Sequence, residues 1–242
     1  MYRSIEVDIA VYAIFLLGAL ARYVFGFGEA LVTTPLLLLV SFNTNNAIAM
    51  IGILGLALAL PAAIKNYQAI DFHLIKHLVS GAILGVPLGL IFLHYGNTYM
   101  LKVLMGIFLV LYGLINLIGI RIVKGHLRIP TLLVGIVSGF LGGAINTHGA
   151  PVAMFGQAAN WPDKYLRANL QTYFGIVGLV IVFGQGASGL WNMTVFKDLL
   201  FLVPGVVAVL IVSEIFLRRI NTATLNKYLY GFFVIVGGLM FF

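Results

Sequence analysis

The sequence predicts an all-α polytopic membrane protein. It is expected to hold two inverted repeats of about five segments each, with short Gly/Pro-broken helices meeting near the bilayer midplane. Three observations carry that expectation. Hydrophobic residues fill 62% of the 242 positions and charged residues 9%, against roughly 25% charge in an ordinary globular domain. Apolar runs approaching the ~20 residues of a membrane span recur along the chain. The second half also repeats landmarks of the first at a nearly constant offset.

Composition narrows the function classes. A soluble domain of this length would lack the polar residues to coat its surface. The net charge of +7 is therefore a report on membrane orientation and not a nucleic-acid footprint. No cysteine is present, which excludes disulfides and thiolate metal sites. Nothing in the chain calls for a cofactor.

The segments follow in order. The first, near 8–25, comes after Glu6 and Asp8 with no small-residue cleavage site behind it, so it reads as a retained span and not a signal peptide. The second, near 28–40, spans about 13 residues, or roughly 20 Å as helix, too short to cross a ~30 Å core unaided. The third, near 45–64, is headed by Asn45 and Asn46. The fourth, near 73–94, enters past Asp71, His73, Lys76 and His77, and the fifth runs from 99 to 119. A basic linker, 120–128, carries Arg121, Lys124 and Arg128. The second repeat, 129–242, then gives segments near 131–144, 148–160, 166–184, 198–217 and 224–242, the seventh as short as the second.

The repeat rests on aligned residues. Asn46, Gly52 and Gly55 match Asn169, Gly175 and Gly178 at an offset of 123, and Asn97-Thr98 matches Asn221-Thr222 at 124. Gly26 and Pro35 match Gly142 and Pro151 at 116. The shift implies about seven extra residues around Trp161–Arg167.

Basic residues orient the chain. With ten passes, Lys65, Lys76, Arg121, Lys124, Arg128, Lys164, Arg167, Arg218, Arg219 and Lys227 fall on one side. Only Arg3, Lys102 and Lys197 fall on the other, and Arg22 stays inside a span. If the short segments merely dipped in and returned, that bias would vanish. The expectation is therefore ten passes in the cytoplasmic membrane with both termini periplasmic or extracellular. Five passes per half give the halves opposite orientation. Inverted repeats with matching broken segments mark a secondary transporter.

The candidate site follows from the breaks. In the first half Gly26, Gly28, Glu29, Thr33, Thr34 and Pro35 occupy one, and in the second Asn146, Thr147, His148, Gly149 and Pro151 occupy the other. Non-helical backbone at membrane depth persists only where protein buries it or a wet cavity adjoins it. The glycines permit a turn, and Pro151 suits the first turn of a new helix. A helix starting near His148 aims free N–H groups and a positive dipole end inward, which suits an anion.

Arg22 stands well inside its span, where a cation faces a cavity or a partner, with snorkelling near the helix end or pairing with Glu29 as the rival readings. Glu214 is read either as a site group or as a partner of Arg218 at i+4. Asn169 and Gln171, at the head of the eighth segment with Thr172, are expected to line the same cavity, with capping the rival role for the asparagines. His73 and His77 are spaced for a metal, but their position fits an interfacial pair, and no metal is expected. Trp161 and Trp191 fit an interfacial aromatic belt.

At these residues the chain resembles the TauE/SafE sulfite-exporter family (4-toluene sulfonate uptake permease superfamily). Gly26-Phe-Gly28 with Pro35-Leu-Leu resembles its glycine-rich motif closing in Pro-x-Leu. Gly142-Gly143, His148-Gly149-Ala150-Pro151, then Arg167-Ala168, Leu170 and Tyr173-Phe174, resemble its second-half motif. The resemblance covers the whole chain. Glu29 and Ala30 stand where many members continue with glycine, and Ala150 where many have proline. It implies export of sulfite or a small organosulfonate across the cytoplasmic membrane.

The function expected is transport of such an anion through a site between the two repeats, with the small anion and the lipid bilayer as partners and protons as candidate coupling ion. The alternatives are an anion channel, a permease for another small anion, and an intramembrane enzyme. A channel usually wants symmetric polar rings along its pore, and the polar groups here differ between the halves. An enzyme needs a positioned nucleophile and base or a metal pair, and His148 is the only histidine well inside a span. The expectation is therefore not an enzyme.

Overall fold

The computed structural model describes residues 5–65, 70–119, 130–216 and 222–242. Among them every regular element is helical and none is a strand. In order these are α1 (Ile5–Phe25), α2 (Glu29–Leu39), α3 (Thr44–Lys65), α4 (Phe72–Tyr95) and α5 (Thr98–Ile118). Then come α6 (Thr131–Ile145), α7 (Gly149–Ala158), α8 (Asp163–Ala187), α9 (Met193–Phe216) and α10 (Thr222–Leu239). The all-α membrane class holds, and the helices follow the predicted segments one for one. The linker 120–128, Arg218, Arg219 and the side chain of Glu214 lie outside the described residues.

Among the described residues, α4, α5, α8 and α9 are long and apolar enough to cross a membrane. The helices α2 and α7 have 11 and 10 residues, about 15 Å each. Several helices start earlier than their apolar runs because polar caps extend them. Asp71 accepts the Leu74 N–H at 3.0 Å, Asn97 accepts that of Met100 at 2.8 Å, and Asn192 accepts that of Val195 at 3.1 Å. Each satisfies one of the donors a helix start leaves open. Capping of α3 falls to Asn43, which accepts the Asn46 N–H at 3.0 Å. The side chain of Asn46 instead accepts from Asn192 at 2.9 Å.

The chain forms two compact units, each drawing helices from both sequence halves. The first gathers α1, α2, α5, α9, α10 and the start of α3 through Met50. In it α5 lies along α10, and α1 packs on α2 and α9. Tyr112 is the centre of a ring cluster, with Phe27, Phe108, Tyr230 and Phe233 at 6.5, 5.8, 5.9 and 5.9 Å between centroids. The α5–α10 backbones approach so closely that a Cβ at Gly113 would stand 2.7 Å from the Tyr230 carbonyl oxygen.

The second unit gathers α3 from Ile51 onward with α4, α6, α7 and α8. Its main seam joins α4 to α6. Gly81, Gly85 and Gly89 lie against the backbone of α6, and Gly135, Gly139 and Gly143 lie against that of α4. A Cβ at Gly85 would overlap the Ile136 carbonyl oxygen, and one at Gly139 would reach within 2.6 Å of the Ala82 Cα. Lipid is as apolar as a leucine side chain, so helices in membranes gain little from burial alone. Close backbone contact through small residues is what holds such a pair.

Candidate functional site

In the first unit the break between α1 and α2 is made by two left-handed glycines. Gly26 has φ 77° and Gly28, the N-cap of α2, has φ 98°. A residue with a Cβ adopts these angles only with strain. Gly26 donates its N–H to the Arg22 carbonyl at 2.8 Å and closes α1. Phe27, between the glycines, is anchored edge-on against Tyr112.

Across this break Arg22 Nη1 donates to Glu29 Oε2 at 3.2 Å, with side-chain exposures of 11% and 6%. Of the roles the sequence left open for Arg22, pairing with Glu29 is the one observed. Each charge also sits at the helix end of opposite sign. Arg22 is in the last turn of α1 and Glu29 in the first turn of α2. Among the described residues the Glu29 carboxylate has no other partner.

Thr33 and Thr34 are buried in α2. The Thr33 hydroxyl lies against Gly18 of α1, where a Cβ would overlap it, and has no hydrogen-bond partner among the described residues. Pro35 is interior to α2, not in its first turn.

In the second unit the break is narrower than the glycine-rich stretch suggests. Gly142 and Gly143 remain helical within α6, so they are not the turn. The left-handed residue is Asn146, φ 57°, whose N–H reaches the Gly142 carbonyl at 2.9 Å while Thr147 N–H reaches that of Leu141 at 3.1 Å. Asparagine tolerates this region better than other residues with a side chain. The two glycines serve packing instead. A Cβ at Gly142 would stand 2.8 Å from that of His148, and Gly143 belongs to the α4 seam.

His148 is the N-cap of α7, as its place before the new helix suggested, and Pro151 falls in that helix's first turn. The ring packs edge-on against Phe174 at 5.1 Å and tilted against Tyr173 at 6.2 Å, with both nitrogens shut from solvent. Its carbonyl accepts from the Ser138 hydroxyl, which lies 2.7 Å from the Tyr173 hydroxyl. Gly149 leaves room for the Phe174 ring, which a Cβ there would overlap.

Phe25 and Ile145 end the helices before the two breaks, and Glu29 and Gly149 start the helices after them, both 120 apart (145 − 25 and 149 − 29).

The remaining candidates lie on α8 and at the entrance of α4. Asn169 is fully buried, accepts the Asp71 N–H at 2.8 Å and donates to the Tyr165 carbonyl at 2.9 Å. Tyr165 in turn donates its hydroxyl to Asp71 at 2.7 Å. Asn169 therefore belongs to a cluster that holds the entrance of α4. The Leu74 N–H, then the Tyr165 hydroxyl, hold the Asp71 carboxyl below its ordinary pKa. Gln171 is buried on α8. His77 donates Nδ1–H to the His73 carbonyl at 2.8 Å, and among the described residues no third ligand completes a metal group.

Sequence reasoning missed Gln185. It is fully buried and donates Nε2–H to Asn146 Oδ1 at 3.0 Å, so it ties α8 to the break. Its Oε1 has no partner among the described residues and fits a notch left by Gly52, where a Cβ would come within 2.5 Å. An amide flanked by Gly184 and Gly186 inside an apolar run was the available signal. Ser138 was likewise missed.

Residues 11–240 match the model of the family described as Sulfite exporter TauE/SafE. No curated protein and no solved structure matches the chain.

Proposed function

Because the chain belongs to the TauE/SafE sulfite-exporter family, and so is a membrane transporter of the sulfur-anion exporter type, we propose that it exports sulfite or a small organosulfonate across the cytoplasmic membrane. The observation that carries the site assignment is Arg22. Its guanidinium is largely buried at the end of a broken helix and paired with the Glu29 carboxylate. A guanidinium is planar, stays charged and matches two oxygens of a sulfite or sulfonate at once.

Around it, Gly26, Gly28, Thr33, Thr34 and Pro35 shape the first unit's break. In the second unit Asn146, Thr147, His148, Gly149 and Pro151 are the residues this reading assigns to the anion. There the N-terminal N–H groups of α7 and the His148 ring favour an anion.

The test is flux in proteoliposomes with sulfite, sulfoacetate, sulfate and thiosulfate offered in turn. Sulfite or sulfoacetate flux that is strongly weakened by Arg22→Lys and lost in Arg22→Ala supports the reading. Flux of neither anion, or parental affinity in Arg22→Ala, overturns it.

A further inference from the structure

The Arg22–Glu29 pair sets a condition on anion binding. The largely buried Arg22 guanidinium faces the buried Glu29 carboxylate at 3.2 Å, and Glu29 has no second donor among the described residues. If an anion takes Arg22 while Glu29 stays ionised, two negative groups share one positive group away from water. A buried charge left unpaired is strongly disfavoured, whereas a protonated carboxyl is neutral and can itself donate a hydrogen bond. The arriving anion and the Glu29 carboxylate are therefore alternatives for the same guanidinium.

We propose that Glu29 is the proton carrier of this transporter: it releases Arg22 by taking a proton when the anion binds, so one proton travels with each monovalent anion. The inference rests on the anion-transport reading above and adds the coupled partner. On the loading side water supplies the proton to a Glu29 oxygen and the anion replaces the carboxylate on Arg22. On the far side the anion leaves, the proton returns to water and the ion pair re-forms. Arg22 plus ionised Glu29, and Arg22 plus anion with protonated Glu29, carry the same net charge. Transport of a monovalent anion is thus electroneutral and indifferent to membrane potential.

Among the described residues no other group packed on α2 fills this role. The elements against it are α1, α5 and α10. Their described titratable or charged side chains are Tyr12, Arg22 and Tyr23; Tyr99, Lys102 and Tyr112; and Lys227, Tyr228 and Tyr230. Phenols and lysines ordinarily hold their protons through neutral pH, and of this set only Arg22 is ion-paired with Glu29.

The test uses methanesulfonate, a strong-acid anion that does not itself carry a proton in the working pH range. Purified full-length protein in proteoliposomes is given this anion, with a pH dye inside and the potential clamped by potassium and valinomycin. One proton should enter per anion, and flux should follow the pH gradient and ignore the clamp. Where Glu29 is ionised in the empty protein, apparent affinity should fall tenfold per pH unit rise, the slope for one linked proton. Glu29→Gln should bind at high pH as the parent binds at low pH, move no proton and respond to the clamp.

Parent flux with no accompanying proton overturns the inference and leaves the transport reading standing. So does proton movement that survives Glu29→Gln, or that disappears only in His148→Gln. A parent that carries neither methanesulfonate nor sulfite removes the transport reading itself, and this inference with it. The proton count and the clamp response are measured on the parent, so a failure of the variants to fold does not shelter the proposal.

Discussion

Arg22 and His148 are the two ionisable candidates whose neighbours differ most. Arg22 is balanced by Glu29, so Arg22→Ala strands a buried carboxylate and should cost about 3–5 kcal/mol of stability. The Arg22→Ala, Glu29→Ala double variant should regain most of that. Melting curves and binding isotherms on the same samples separate scaffold from site, because sulfite affinity should stay lost in the double variant. Affinity near the parent's there would make Arg22 a scaffold residue.

His148 is held by ring packing on Phe174 and by its own carbonyl. His148→Ala should leave folded protein in the membrane while flux falls at least tenfold, about 1.4 kcal/mol in the barrier. Parental flux and pH profile would reduce His148 to a helix start. Both residues were legible because a charge inside an apolar run is conspicuous. Gln185 and Ser138 carry no charge, and the hydrogen bonds that matter for them appear only once α6 and α8 are packed.

At the scale of elements, the two breaks were visible as glycine- and proline-rich interruptions, while their boundaries were not. The sequence cannot distinguish a glycine that turns the chain from one that lets another helix approach. Gly26 does the first, and Gly142 and Gly143 do the second. The α4–α6 seam makes the same point. Its spacing at 81, 85, 89 and 135, 139, 143 is the small-xxx-small pattern, but the partner of each stripe is fixed only by the fold.

Because the Ile136 carbonyl occupies the space a side chain would need, Gly85→Val must part the helices. A loss of about 1–3 kcal/mol is expected, as for an overpacked core. Thermal unfolding in detergent checks it, and an unchanged midpoint would mean the seam yields without strain. At the entrance of α4, Asp71 is a carboxyl whose pKa is lowered by folding. Its contribution is therefore present above the ordinary carboxylate pKa and lost as pH falls through the lowered one. Asp71→Asn should flatten the acid limb of the stability profile, and an unaltered limb would place that limb elsewhere.

For the whole molecule, the ten-helix order was legible and the grouping of the helices was not. Hydropathy reads along the chain, and compactness is set by contacts across it. Each compact unit takes helices from both halves, so neither 1–119 nor 129–242 alone contains a complete unit. Either half expressed alone should be degraded, and both together, split at the linker, should restore flux. Orientation is the property the charges address most directly. Ten of the thirteen basic residues other than Arg22 fall on one side if all ten helices advance the chain across the bilayer, and short basic loops are retained in the cytoplasm. The short α2 and α7 must then each count as a pass, although neither reaches ~30 Å by itself. Alkaline phosphatase fused after Phe242 should be active and green fluorescent protein dark there, while fusions within 120–128 should show the reverse. A fluorescent C-terminus would mean that one broken pair returns to its own side, and the opposed orientation of the two halves would fall with it.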